Sequence, residues 1–127
     1  MKKQVVHFAE IKKPTTGFNH AVKAGNFIFL SSQLSADLKT GKIIKGNIKK
    51  QTKRAMENMK YLLSQCSCSM DNVVKIVIYF RNAKDRKKIN EVYKQYFSPG
   101  QEPAKVSVQA PSPIGGIDVE IEATAVV

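Results

Sequence analysis

The 127-residue chain has no tryptophan, two cysteines, two histidines, and ten acidic residues against 21 lysines and arginines. Each scarcity excludes something. Cys66 and Cys68 are too few and too close for a disulfide framework, and they read as reduced cytoplasmic thiols near the end of a helix. His7 and His20 lie far from them in sequence, so zinc-ligand spacing is absent and no metal is expected. No stretch approaches the roughly 18 consecutive apolar residues of a membrane span, so no membrane partner is expected. The basic N-terminus, Met1 to His7, has no apolar segment behind it, which argues against a signal peptide.

What is present suits one domain over residues 1–127. The composition is 43% hydrophobic and 24% charged, and a chain of this length buries roughly two-thirds of its unfolded surface without metal or disulfide staples. The net charge of +11 invites a nucleic-acid reading. The details oppose it: the only arginines are Arg54, Arg81 and Arg86, and no aromatic platform interleaves with the basic residues. No histidine pair is spaced for phosphodiester cleavage either. Eight bases and one acid fall within 39–60, and six bases and two acids within 81–94, which accounts for the whole excess. These blocks read as two solvated helix faces.

Gln4 to Phe8 is a short strand candidate. Ala21-Val22-Lys23 and Phe27 to Ser31 flank a Gly25-Asn26 step suited to a hairpin, and Asp37 to Lys42 is a second turn. Asn47 can cap a helix whose apolar stripe runs Ile48, Thr52, Ala55, Met59, Leu62, Cys66, widened by Met56 and Leu63. Val73 to Phe80 is almost continuously β-branched and aromatic, the pattern of a strand buried on both faces. Asp85 begins a second helix with stripe residues Ile89, Val92, Tyr93, Tyr96 and Phe97, stopped by Ser98-Pro99-Gly100. Two alternating strands follow, Lys105 to Gln109 and Asp118 to Val126. The order gives an α+β domain with both helices on one face of a sheet.

Period-two alternation sorts the last strands. Val106 and Val108 point one way, and Lys105, Ser107 and Gln109 the other. Glu120, Glu122 and Thr124 oppose Val119, Ile121, Ala123 and Ala125. If the two strands pair, Lys105 and Ser107 face Glu120 and Glu122. Carboxylates in a strand otherwise apolar enough to be central are costly unless partnered.

Seven segments in order carry a resemblance. They are Ala24-Gly25-Asn26-Phe27-Ile28-Phe29-Leu30-Ser31-Ser32-Gln33; Asp37 to Gly41; Gln51-Thr52 with Asn58; Asp71-Asn72-Val73-Val74-Lys75; Asn90-Glu91-Val92-Tyr93 with Tyr96-Phe97; Pro103-Ala104-Lys105; and Val119-Glu120-Ile121-Glu122-Ala123. Over nearly its whole length the chain resembles the RidA/YjgF family of reactive-intermediate (imine) deaminases, also called translation initiation inhibitors. The resemblance implies a chorismate-mutase-like fold, with a mixed β-sheet, two helices on one face, and a homotrimer with three clefts between subunits. It implies no cofactor and a small carboxylic, imino or keto acid as ligand. Deaminating members hydrolyse 2-imino and enamino acids to 2-keto acids and ammonia.

Residue by residue, Glu120 matches the family's water-positioning glutamate, Asn90 its asparagine and Ser31 its serine. The glycine after that serine is Ser32 here, a frequent cysteine is Ser107, the tyrosine falls on Phe18, and the carboxylate-gripping arginine on Lys105. Lysine offers a compact point charge where arginine offers two parallel donors. The departures fall on the substrate-gripping groups. Three functions follow as expectations: an imine deaminase anchored by Lys105, a non-deaminating small-carboxylate binder, or the RNA-binding or ribonuclease action attributed to some relatives. A Schiff base on Lys105 is a further option, opposed by the charge that Glu120 would favour on a nearby ammonium.

Overall fold

The computed structural model describes residues 2–127. Six strands form one sheet: β1 (Gln4–Val5), β2 (Ala21–Ala24), β3 (Phe27–Gln33), β4 (Val73–Phe80), β5 (Ala104–Gln109) and β6 (Val119–Val126). Their spatial order is β1-β2-β3-β6-β4-β5. All neighbours are antiparallel except β4 and β5. Those two are joined through helix α2 (Arg86–Tyr93), and a strand–helix–strand connection returns the chain in the same direction.

The β2–β3 hairpin turns on Gly25 and Asn26, as the sequence indicates, with Gly25 at φ 58° and Ala24 opposite Phe27. The first strand is shorter than expected: only Gln4 and Val5 pair, while Phe8 packs against the core. Helix α1 (Ile48–Gln65) starts at Asn47, whose side chain accepts from the Lys50 amide at 2.9 Å. Its predicted stripe is buried from Ile48 to Leu63, with Met56, Met59, Leu62 and Leu63 fully so, while Cys66 lies just past the helix and is half-buried; the helix packs on α2, β3 and β6. Ile28, Ile76 and Ile121 complete that core from the sheet.

Both helices lie on one face, as expected, and this corrects the reading of β4. Its Ile76, Ile78 and Phe80 are buried, but Val77 and Tyr79 are half-buried and Val74 and Lys75 exposed. With no layer over the second face, its side chains stay open. Phe27 and Phe29 on β3 remain 46% exposed each, and all six residues of β5 are exposed.

Buried polar side chains tie the loops to this frame. Gln51, on α1, donates to the carbonyls of Gly46 (2.9 Å) and Gly116 (3.1 Å) and accepts from the Asp118 amide (2.8 Å). Asn58 donates to the carbonyls of Leu34 (3.1 Å) and Ala36 (2.8 Å), fixing the exit of β3. Truncating Gln51 leaves three backbone groups without their partner in a buried setting. Gln51→Ala is expected to lower unfolding stability by about 2–4 kcal/mol in denaturant titration.

Candidate functional site

The loop before β6 and an irregularity in β3 build one cluster. Between Leu30 (opposite Ala123) and Gln33 (opposite Ile121), β3 carries one residue more than β6, a bulge at Ser31–Ser32. A bulge re-aims side chains. Here it turns Ser32 so that its hydroxyl donates to Glu120 Oε1 at 2.8 Å. Ser31 donates to the Asn19 carbonyl at 2.6 Å. The other carboxylate oxygen, Oε2, accepts from Ser112, whose Oγ also accepts from the Ile114 amide at 3.0 Å. The Ser112 loop is held at both ends. Arg81 donates to the Ser112 carbonyl (3.2 Å) and pairs with Asp118 (3.2 Å), while Gln51 holds Gly116. Half-buried Glu120 thus has a partner on each oxygen, which offsets the cost of burying it.

Phe18, Ser31, Ser32, Tyr79, Ser112 and Glu120 line a cleft of about 550 Å³ on the open face. Phe18 has no hydroxyl, but Tyr79 brings one into the same cleft and donates it to Glu122. That bond, with burial and the two carboxylates beside it, holds the Tyr79 phenol above its ordinary pKa, so it stays a donor.

A second cleft, of about 500 Å³, lies on the helix-bearing side at the β5 edge and holds Asn90, Lys105 and Ser107. The Lys105 ammonium donates to Asn90 Oδ1 at 3.0 Å and sits 4.8 Å from the centroid of the Tyr93 ring. Two positions of one helix, Asn90 and Tyr93, therefore hold it. Tyr93 is 3% exposed, and burial, with the charge of Glu102, pushes its phenol up to about 12.

The condition that the last two strands pair is not met. β4 lies between them: Tyr79 is opposite Glu120 on one side, while Ile76 and Ile78 are opposite Lys105 and Ser107 on the other. Partners across a ladder share a face, so Lys105 and Ser107 follow Ile76 and Ile78 to the helix side, and Glu120 follows Tyr79 to the open side. The sequence-derived residues fall into two groups on opposite faces of one chain. Phe18, Ser31, Ser32 and Glu120 form one, and Asn90, Lys105 and Ser107 the other. The basic residues of the 81–94 block are exposed, as a solvated face requires, and three of them, Lys84, Arg86 and Lys87, also line the Lys105 cleft. Ser112 and Tyr79 were missed. Nothing in local sequence marks Ser112, whereas Tyr79 was legible as an open-face residue once β4 was known to be covered on one side.

Among the described residues, no three His, Cys, Asp or Glu side chains converge as metal ligands, and no helix is long and apolar enough to cross a membrane.

Comparison with known proteins identifies the class to which this one-sheet α+β domain with two helices on one face belongs. Residues 9–127 match the family described as Endoribonuclease L-PSP, and the chain belongs to that family, the RidA/YjgF family of the sequence resemblance. A RutC family protein of Pyrococcus abyssi is 40% identical over 98% of both chains. The human 2-iminobutanoate/2-iminopropanoate deaminase is 30% identical over 98% of this chain and 90% of its own. Escherichia coli TdcF, solved with bound serine, superposes with a TM-score of 0.85 at 26% identity over 98% of both chains.

His20 stands at the edge of the open-face cluster, packed edge-on against Phe18 with ring centroids 6.0 Å apart. Its Nδ1 is 3.4 Å from Gln33 Nε2, an amide that also donates to the Ser31 carbonyl. Burial lowers its pKa from the ordinary 6.5. The unfolded chain therefore binds the proton more readily, so stability is whole above pH 6.5 and declines as pH falls below it. Thermal unfolding of the native protein is expected to lose more Tm below pH 6.5 than that of His20→Asn.

Proposed function

We propose that the two half-sites belong to one active site formed between copies of this chain, and that it hydrolyses small 2-imino acids to 2-keto acids and ammonia. The observation that carries this reading is their separation. Lys105 and Glu120 each sit in a prepared polar setting, yet on opposite faces, so only a neighbouring chain can bring them onto one substrate. The exposed β5 edge and the open Phe27–Phe29 face are surfaces that proteins normally cover. Closure into the family's trimer would cover them and place the Lys105 cleft of one subunit against the Glu120 cleft of the next.

The chemistry asked of such a site is modest, because a protonated imine is already electrophilic at C2. Lys105, oriented by Asn90 and Tyr93, holds the substrate carboxylate as a point charge. Glu120, fixed by Ser32 and Ser112, accepts a hydrogen bond from a water and takes its proton as the oxygen adds to C2. That proton passes to the nitrogen, the C–N bond breaks as the new hydroxyl gives its own proton to Glu120, and the ammonia released takes that proton away as ammonium, leaving a 2-keto acid behind. The deaminase named among the relatives and the serine bound by TdcF support the substrate class.

A small-carboxylate binder without turnover is the alternative, favoured by the lysine at the anchor. Nucleic-acid binding would use another surface, since Lys45, Lys50, Lys53 and Arg54 gather on α1 and its approach, apart from both half-sites.

The test is turnover of freshly generated 2-iminobutanoate. Native protein is expected to accelerate keto-acid release over buffer. Glu120→Gln should cut kcat by about 100-fold or more, the scale of general-base loss. Lys105→Ala should mainly raise KM, and Lys105→Arg should match or exceed the native rate. Binding of 2-oxobutanoate without any acceleration would convert the reading to the non-catalytic alternative.

A further inference from the structure

The Lys105 cleft is more basic than a monocarboxylic acid needs. Lys84, Arg86 and Lys87, from the turn before α2 and its first residues, line it together with Lys105, and no aspartate or glutamate does. None of the four cations makes a salt bridge among the described residues. Of the nearby acids, Glu91 pairs with Lys49 at 2.9 Å, Glu57 accepts from Tyr96 at 2.6 Å and Asp118 pairs with Arg81 at 3.2 Å. Asp85, between Lys84 and Arg86, and Glu102, whose charge acts on Tyr93, make no salt bridge among the described residues but do not line the cleft. One substrate carboxylate answers one of four positive charges. In the assembly proposed above, the opposing half-site adds two carboxylates, Glu120 and Glu122, against the four cations of this lining, so the joined lining stays positive. Like charges gathered in one cleft repel, and an anion placed among them relieves that repulsion.

We propose that the ligand of this cleft carries a second anionic group, a carboxylate or a phosphate, bound by Lys84, Arg86 and Lys87 while Lys105 holds the 2-carboxylate. The inference rests on the site reading given above and assigns it a substrate class: imino acids derived from acidic or phosphorylated amino acids, in preference to those with short apolar side chains. Arg86 supplies the planar fork that suits a carboxylate or phosphate, and the two lysines supply flexible point charges.

Calorimetric titration of the assembled protein at one fixed physiological ionic strength tests this with two matched pairs. These are 2-oxobutanoate against 2-oxoglutarate, and serine against O-phosphoserine. In at least one pair the doubly anionic member is expected to bind about tenfold tighter or better, the effect of one added charge-assisted contact. Preference in the first pair identifies a carboxylate, and in the second a phosphate. The triple variant Lys84→Ala/Arg86→Ala/Lys87→Ala should bring that ratio close to one, while Lys50→Ala/Lys53→Ala, which removes charge on α1 outside the cleft, should keep it. Equal affinities within both pairs would overturn the inference and leave the site reading intact. A preference that survives the triple variant would also overturn it. Failure of all four compounds to bind would remove the site reading along with the inference.

Discussion

The pleat of the sheet is the constraint on which the rest depends. Successive side chains of a strand leave on opposite faces, and both helices cover only one of them. Ile76, Ile78, Ile121 and Ala123 therefore enter the core. Their alternates, Val77, Tyr79, Glu120 and Glu122, reach a face with no second layer. Lys105 and Ser107 have the core-side parity but sit on the edge strand, beyond the main packing of the helices. Parity thus sends Lys105 and Glu120 to different clefts of a single chain, which is why we propose that each cleft is half of a site.

Each half is nevertheless prepared. A lysine with nothing around it would sweep a wide volume, whereas Lys105 rests against the Tyr93 ring and donates to Asn90. A carboxylate on an uncovered face would be hydrated and mobile, whereas Glu120 is gripped at both oxygens by serines of different segments. One serine is aimed by a bulge and the other by a loop that Arg81 and Gln51 pin. Such prior ordering lowers the entropic cost of binding and of reaching the reactive geometry. Lysine and phenylalanine at the anchor and wall, in place of the arginine and tyrosine that the resemblance calls for, change the gripping groups and leave the carboxylate in place.

Much of this was legible in the sequence, for stated physical reasons. The stripe from Ile48 to Leu63 has helical period, Asn47 is a capping residue, Gly25 supplies a positive φ, and Val106/Val108 against Lys105/Ser107 alternate as a strand must. Alternation sorts the faces of β5 and β6 but does not say which strands are neighbours, so their pairing stays conditional at the level of sequence. The α2 crossover makes β5 parallel to β4, and that inserts a whole strand between Lys105 and Glu120. The contact of Ser32 with Glu120 depends on one extra residue in β3, which alternation alone does not register. Ser112 is seven residues past the anchor lysine in an irregular loop, where neither period nor capping rules apply. The basic residues at 84–87 are solvated, as a charge run usually is, but only the fold shows that they share a cleft with Lys105.

The proposed site lies between chains and not within one. Co-assembly of Lys105→Ala with Glu120→Gln chains tests it most directly, assayed at substrate far below KM, where the raised KM of the first and the lost kcat of the second each suppress turnover, with the mixed assemblies verified by native mass spectrometry. Random mixing in equal amounts gives about one site in four with both groups native, so about a quarter of native turnover should return. Verified mixed assemblies with no activity above their parents would contradict the account.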